Sequence, residues 1–165
     1  MHSGLLGDRS RALAPDWHLE LREGGLHYEA DIDLGSTAAG SSGIAHPSVT
    51  RHIYDVTLPF TARLGRLTET GQHFLLTFIC SPHSAREGGR YMFISRNYGL
   101  DEPDERFCAQ TPIIHEQDRR VVEAQRPEEL PLDLSAELHL RGPDGAAVEY
   151  RRMLRELGLE GALTA

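Results

Sequence analysis

The sequence has 165 residues, of which 39% are hydrophobic and 25% charged, and this composition indicates one folded domain rather than a disordered chain. A formal net charge of −8 argues against nucleic acid or an anionic membrane as a partner. Two cysteines are too few for a disulfide framework, and we find neither an apolar run of membrane-spanning length nor a secretion signal, so we expect a cytoplasmic protein.

The N-terminal part of the sequence predicts two short strands. Residues 17–34 alternate apolar and polar side chains on both sides of a turn at residues 23–25, which is the period of a half-buried antiparallel sheet. His27 is out of phase with its apolar neighbours, and we expect its side chain to face solvent. Residues 35–47 are rich in Gly, Ser and Ala without any period, and they predict a flexible loop, either a linker or an access flap over a pocket.

Further alternating runs predict the rest of the sheet, at residues 53–60, 63–67, 73–80 and 90–98. By their spacing, Phe74 and Phe78 lie on one face of their strand. We expect them to line a pocket together with Met92 or Ile94 of the following strand.

A helix is predicted over residues 111–126. Thr111 can cap its start, Pro112 suits the first helical position, and Pro127 ends it. One stripe of this helix should face inward, and it consists of Ile114, Asp118, Val121, Val122 and Gln125. Because an inward carboxylate needs hydrogen-bond donors, a cation or a metal, Asp118 is either a structural acceptor or a ligand.

The C-terminal part predicts one more strand and one more helix. Residues 134–140 place leucine and alanine at alternate positions, as a strand does. Residues 146–157 carry an apolar helical stripe, and Gly158 is a suitable cap. Strands followed by helices indicate an α+β fold, and we expect a single domain over residues 1–165.

The predicted helix also carries a family resemblance. Residues 114–126 resemble the C-terminal helix of Rieske-type non-haem iron oxygenases, particularly the oxygenase subunits of the vanillate O-demethylase group. Residues 149–154 resemble the closing helix of that family, and the segment around His2 resembles the one that follows its second iron histidine. The resemblance implies a helix-grip fold of the START or Bet v 1 kind, in which a curved antiparallel sheet packs on C-terminal helices.

The same resemblance implies an iron site. In that family, two histidines and one carboxylate hold mononuclear Fe(II), and the matching residues here are His2 and Asp118. The first iron histidine and the Rieske 2Fe–2S domain belong upstream of His2, and this sequence has neither. We therefore expect a catalytic domain truncated at its N-terminus and not competent alone.

For the whole enzyme, the resemblance implies an aromatic ring-hydroxylating or O-demethylating oxygenase in aromatic compound catabolism. It would act on a small aromatic or apolar substrate with O2, receive electrons from a reductase or ferredoxin, and form a homo-oligomer, often a trimer. Two other interpretations remain open. Cys80, His83, Cys108 and His115 could form a zinc site, or the chain could be a non-enzymatic helix-grip protein that binds a small apolar ligand.

Overall fold

The computed structural model describes residues 16–33, 49–84, 87–109, 111–140 and 142–159, and its strands form one antiparallel sheet. The six strands lie in chain order across the sheet. They are β1 His18–Arg22, β2 Gly25–Asp33, β3 Val49–Thr57, β4 Thr61–Leu67, β5 His73–Pro82 and β6 Gly88–Arg96.

Three α-helices follow the strands: α1 Asp104–Cys108, α2 Thr111–Glu123 and α3 Gly145–Glu156. The predicted α+β fold, an antiparallel sheet with C-terminal helices, is therefore confirmed. Among the described residues, no helix combines the length and the apolar character needed to cross a membrane. His2 and the predicted loop at residues 35–47 lie outside the described residues.

Two glycines make the first hairpin possible. Gly24 has a φ of +70°, a left-handed conformation that residues with a side chain rarely adopt. A Cβ at Gly25 would lie 2.1 Å from the carbonyl oxygen of Val56. The turn between β1 and β2, and the start of the pairing between β2 and β3, therefore both require glycine.

The register of the sheet aligns alternate residues into rows on each face. His52 pairs with Arg66, and Arg66 pairs with Phe74, so these three side chains share the face that the helices cover. We call it the inner face. The buried apolar residues of the described chain come from this face, from the helices and from the segment before α3: Leu26, Ala30, Phe74, Phe107, Leu132, Met153 and Leu154.

The outer face carries a polar contact that the sequence did not predict. The His27 side chain is 12% exposed, and its Nδ1 lies 2.7 Å from Oδ1 of Asp55. The register places Glu20 on one side of His27 and Asp55 on the other. The expectation that His27 faces solvent was wrong, because side chains of both neighbouring strands cover it.

Two predictions in the C-terminal half were also wrong. Residues 134–140 form no strand; a short 3₁₀ helix spans Leu134–Ala136, because the Asp133 carboxylate accepts a hydrogen bond from the Ser135 backbone N–H at 2.9 Å. The second helix ends at Glu123 rather than at residue 126. Its last turn closes with a bond from the Ala124 N–H to the Val121 carbonyl, and Pro127 disfavours helical geometry at the residue before it.

A buried arginine attaches the segment before α3 to that helix. Arg151 is 9% exposed and donates to the carbonyl of Pro131 at 3.0 Å and to that of Ala147 at 3.2 Å. Its guanidinium also pairs with Glu137 at 2.7 Å. One side chain therefore satisfies acceptors at three separate positions of the chain.

Three aromatic rings pack together at the edge of the sheet. Tyr28 and Tyr54 stack with their centroids 4.6 Å apart, and Trp17 meets each of them edge-on at 5.3 Å. Burial, and to a smaller extent the neighbouring Tyr54, raises the pKa of Tyr28 to about 12. The fold therefore disfavours the Tyr28 phenolate.

We predict that Tyr28→Phe makes the protein less sensitive to alkaline pH. Since the folded-state pKa of Tyr28 exceeds the unfolded value of about 10, its contribution to stability is complete below pH 10 and is lost as the pH rises towards 12. Denaturant unfolding at a series of pH values should show that the free energy of unfolding decreases less steeply over this range in Tyr28→Phe than in the wild type. Tyr91→Phe is the control, because 54% of Tyr91 is exposed. The prediction would be contradicted if the slope of the free energy of unfolding against pH were the same in Tyr28→Phe as in the wild type.

We also predict that Arg151→Ala lowers the free energy of unfolding by about 3 kcal/mol, because it removes the side-chain donor of the half-buried Glu137 and of the Pro131 carbonyl. Arg152→Ala is the matched control on the same helix. The Arg152 side chain is 46% exposed and pairs with Glu149 and Glu156 of the same helix, so its loss should lower the free energy of unfolding by less than about 1 kcal/mol. If chemical denaturation showed the same loss of unfolding free energy in both variants, Arg151 would not be the residue that attaches this segment to α3.

Candidate functional site

The candidate site is a cavity of about 330 Å³ between the inner face of the sheet and α2. This volume lies at the lower end of the range of about 300–1,000 Å³ that small-molecule sites occupy. Most of its walls are apolar, but a cation and an anion also line it. The residues used below are Tyr54, Arg66, Phe74, Phe78, Met92 and Asp118.

Helix α2 presents one stripe to this cavity. Thr111, Ile114, His115 and Asp118 line the cavity, at the spacing of three and four residues that places side chains on one face of a helix. The opposite face is solvated, and there Arg119 makes ion pairs with glutamates one turn before and after it. The amphipathic pattern therefore directs Asp118 inward.

The predicted inward stripe extends too far along the helix. Val121 is 38% and Val122 is 65% exposed, and Gln125 is also exposed. All residues from 121 to 130 are exposed, because the cavity contacts only the N-terminal part of α2. Only Ile114 and Asp118 of the predicted stripe line the cavity.

His115 is the imidazole nearest to Asp118 along α2. Its ring centroid lies 6.4 Å from that of Phe78. Burial, followed by the positive charge of Arg90, lowers the pKa of His115, whereas Asp118 acts in the opposite direction. The ring is therefore neutral at pH 7, and a neutral imidazole has one donor and one acceptor nitrogen.

The other charge of the cavity belongs to Arg66 on β4. Arg66 is 7% exposed and lies between His52 and Phe74 in the register. Burial lowers the pKa of its guanidinium, which nevertheless stays protonated. Arg66 was not predicted as a site residue from the sequence, although its phase identifies its face: Arg66 follows Leu64 by two positions, and both residues line the cavity.

A neighbouring cavity of about 330 Å³ beneath α3 differs in chemistry. Leu26, Tyr28, Val56, Phe78 and Tyr150 are among the residues that line it, and none of its lining residues is charged. The Tyr150 hydroxyl donates to the Pro59 carbonyl at 2.6 Å. Of these two cavities, the one under α2 is therefore the one that presents charged side chains to a ligand.

The structure brings some of the predicted site residues together. Phe74, Phe78 and Met92 line the cavity with Asp118. Ile94 pairs with Leu76 of the cavity wall but lines a separate surface groove next to α1. His2 lies outside the described residues.

The metal-binding predictions can be tested against the described donors. These residues contain no group of three or more His, Cys, Asp or Glu that could hold a metal ion. The proposed zinc set of Cys80, His83, Cys108 and His115 was therefore wrong. An iron site needs two imidazoles and one carboxylate, and the described residues bring no such set of three donors together.

Comparison with known proteins places this geometry in context. A family model described as the vanillate O-demethylase oxygenase C-terminal domain matches residues 1–160. A comparison with curated protein sequences found no match. Among solved structures, the chain is similar to the QL mutant of NdmA from Pseudomonas putida CBB5 with caffeine, with a TM-score of 0.72 and 20% identity.

Two further structures share the fold. NdmB from Pseudomonas putida CBB5 matches with a TM-score of 0.68 and 19% identity, and apo dicamba monooxygenase with 0.54 and 18%. The NdmA and NdmB matches each cover 98% of this chain and 46% of the other, and the dicamba monooxygenase match covers 89% and 51%. This chain therefore spans about half the length of these proteins.

We predict that Phe74→Ala lowers the free energy of unfolding by about 3–5 kcal/mol. Phe74 is 2% exposed, and its removal leaves a void at the wall of the cavity. Phe93→Ala is the control on the adjacent strand, because Phe93 is 54% exposed and should cost much less. If urea unfolding showed comparable losses of unfolding free energy in the two variants, the inner face would not be the packed side of the sheet.

Proposed function

Because this chain belongs to the family of vanillate O-demethylase oxygenase C-terminal domains, we propose that it is the C-terminal part of the catalytic domain of a Rieske-type oxygenase. The whole enzyme would use O2 and electrons to hydroxylate or O-demethylate a small aromatic or apolar substrate. Its Rieske 2Fe–2S cluster and its supply of electrons, a reductase or ferredoxin, would lie outside the residues of this chain. We expect the whole enzyme to form a homo-oligomer, such as a trimer.

The observation that carries this proposal is the position of Asp118. Its carboxylate is on the stripe of α2 that lines an otherwise largely apolar cavity. We propose Asp118 as the carboxylate ligand of a mononuclear Fe(II), the role that the resemblance of residues 114–126 implies. His2 is proposed as one of the two histidine ligands on the resemblance alone.

The walls of the cavity suit an aromatic substrate. Phe74, Phe78 and Met92 would contact the faces and edges of a bound ring and exclude water from it. The neutral imidazole of His115 could form one hydrogen bond with a polar substituent. Binding and orientation are the functions that these residues can perform without a metal ion.

We infer that the 165-residue chain does not catalyse the reaction alone. A carboxylate and a single histidine make two of the three protein ligands that a facial triad requires. The missing histidine and the cluster ligands, Cys-x-His and Cys-x2-His, would have to come from sequence upstream of His2.

We therefore predict that the reading frame continues upstream of Met1 and encodes those two cluster motifs, followed by Asp-x2-His. The longer protein should bind mononuclear iron in addition to the cluster iron, and Asp118→Ala should remove it. Total iron and acid-labile sulfide, measured per chain, separate the two kinds of iron. Glu123→Ala is the control on the same helix, because the Glu123 side chain is 61% exposed.

Stop codons or unrelated sequence upstream, with a native mass equal to that of the 165-residue chain, would contradict the oxygenase proposal. The favoured function would then be the alternative one, that of a non-enzymatic helix-grip protein that binds a small apolar ligand. For such a protein, Asp118→Ala should leave the metal content unchanged.

A further inference from the structure

The cavity beneath α3 has no role in the proposed function. It has a volume of about 330 Å³, and Ala146, Ala147 and Tyr150 line it from the helix. The two alanines are too small to fill the space between the first turn of α3 and the sheet. In the last turn, by contrast, the larger side chains of Met153 and Leu154 are buried. The sequence of α3 therefore leaves an open space at one end of the helix and a packed core at the other.

The walls of this cavity are apolar and rich in aromatic rings. Among the described residues that line it, none is charged. Four of them are aromatic, namely Tyr28, Phe60, Phe78 and Tyr150. Aromatic side chains pack favourably against other rings, either edge to face or with an offset, whereas a charged group would lose its hydration here without gaining a partner. The chemistry of the walls therefore favours an uncharged aromatic molecule.

The Tyr150 hydroxyl supplies a polar group with a defined direction of hydrogen bonding. It donates its proton to the Pro59 carbonyl at 2.6 Å. Burial, followed by the neighbouring Cys80, raises the pKa of Tyr150, so the phenol stays protonated at neutral pH. A phenol oxygen whose proton is already donated can still accept a hydrogen bond. Tyr150 therefore offers an acceptor to an N–H or O–H group of a molecule in the cavity.

The size and the position of the cavity are also those of a ligand site. An apolar cavity of about 150 Å³ is large enough to bind benzene, and the cavity beneath α3 has about twice that volume, which is enough for two fused rings. Cys80 lines the cavity and is exposed, so the cavity reaches the protein surface at this residue. A ligand could therefore enter it directly from solvent.

We propose that the cavity beneath α3 is a second ligand-binding site, and that it takes a small uncharged aromatic molecule with one hydrogen-bond donor, such as an indole or a phenol. The aromatic walls would contact the rings of this ligand, and Tyr150 would accept its hydrogen bond. The inference goes beyond the proposed function, because binding at this site requires neither iron nor Asp118.

The cavities beneath α3 and under α2 share part of their walls. Phe78 lines both of them. In the stacked tyrosine pair, Tyr28 lines the cavity beneath α3 and Tyr54 lines the cavity under α2. An aromatic probe must therefore be located by substitutions that narrow one cavity alone. Strand β4 provides a matched pair of positions, because Ala62 lines the cavity beneath α3 and Leu64 lines the cavity under α2.

The test measures binding to the full 165-residue chain by titration calorimetry. The probes are indole and benzofuran, which have nearly the same shape, but only indole has an N–H donor. The wild type should bind indole at least about threefold more tightly than benzofuran. Ala62→Phe places a ring in the cavity beneath α3 and should weaken indole binding at least about tenfold. Leu64→Phe is the matched control in the cavity under α2 and should retain indole binding.

Three results would overturn the proposal: no binding of indole by the wild type, equal binding of indole and benzofuran, or indole binding that survives Ala62→Phe. If Ala62→Phe has a much lower melting temperature than the wild type, Ala146→Phe decides instead, because it narrows the same cavity from α3 without changing the sheet. Indole binding that is lost only in Leu64→Phe would place the probe under α2 and would also overturn the proposal. Since no measurement here requires iron or turnover, failure of this proposal is distinguishable from failure of the oxygenase proposal.

Discussion

The antiparallel register determines which side chains the helices must cover. Each strand turns alternate residues towards the inner face, and pairing brings them into rows such as His52, Arg66 and Phe74. A shift of one residue would exchange the inner and outer sets of a whole strand. The positive φ of Gly24 and the close approach of Gly25 to Val56 therefore help to determine the composition of the cavity, although neither glycine lines it.

The helical half of the fold is attached to a large extent by arginines. The sequence contains 17 basic residues and all are arginine, whose five donors allow one side chain to bridge several acceptors. Arg96 donates to the carbonyls of Tyr98 and Gly99 and lies 3.9 Å from the centroid of the Phe107 ring, which holds the start of α1 against the end of β6. Arg151 does the same for the segment before α3. These contacts join the helices to the rest of the fold, and the described residues include few fully buried apolar side chains that could do so.

The sequence predicted the strands and helices whose formation depends on residues close together in the chain. Six strands and the two longer helices follow from period, turn glycines and caps, and they occur near the predicted positions. The errors arose where a distant or competing contact decides the structure. Residues 134–140 have the alternation of a strand, but the Asp133 carboxylate captures the Ser135 N–H, and His27 is covered by the Asp55 side chain of another strand. The position of Arg66 on the cavity wall was not predicted, because it depends on how β4 pairs with the neighbouring strands.

Arg66 and Asp118 place two opposite charges in a cavity whose other walls are mostly apolar. The apolar walls lower the local dielectric constant and so strengthen the field of each charge on a bound molecule. The same surroundings make the buried guanidinium unfavourable for the folded sheet. A neutral residue at this position would relieve that penalty, but a ring held only by Phe74 and Phe78 would be oriented by dispersion forces, which are individually weak. The arginine at position 66 therefore makes the sheet less stable, while it places a fixed positive charge on the wall of the cavity.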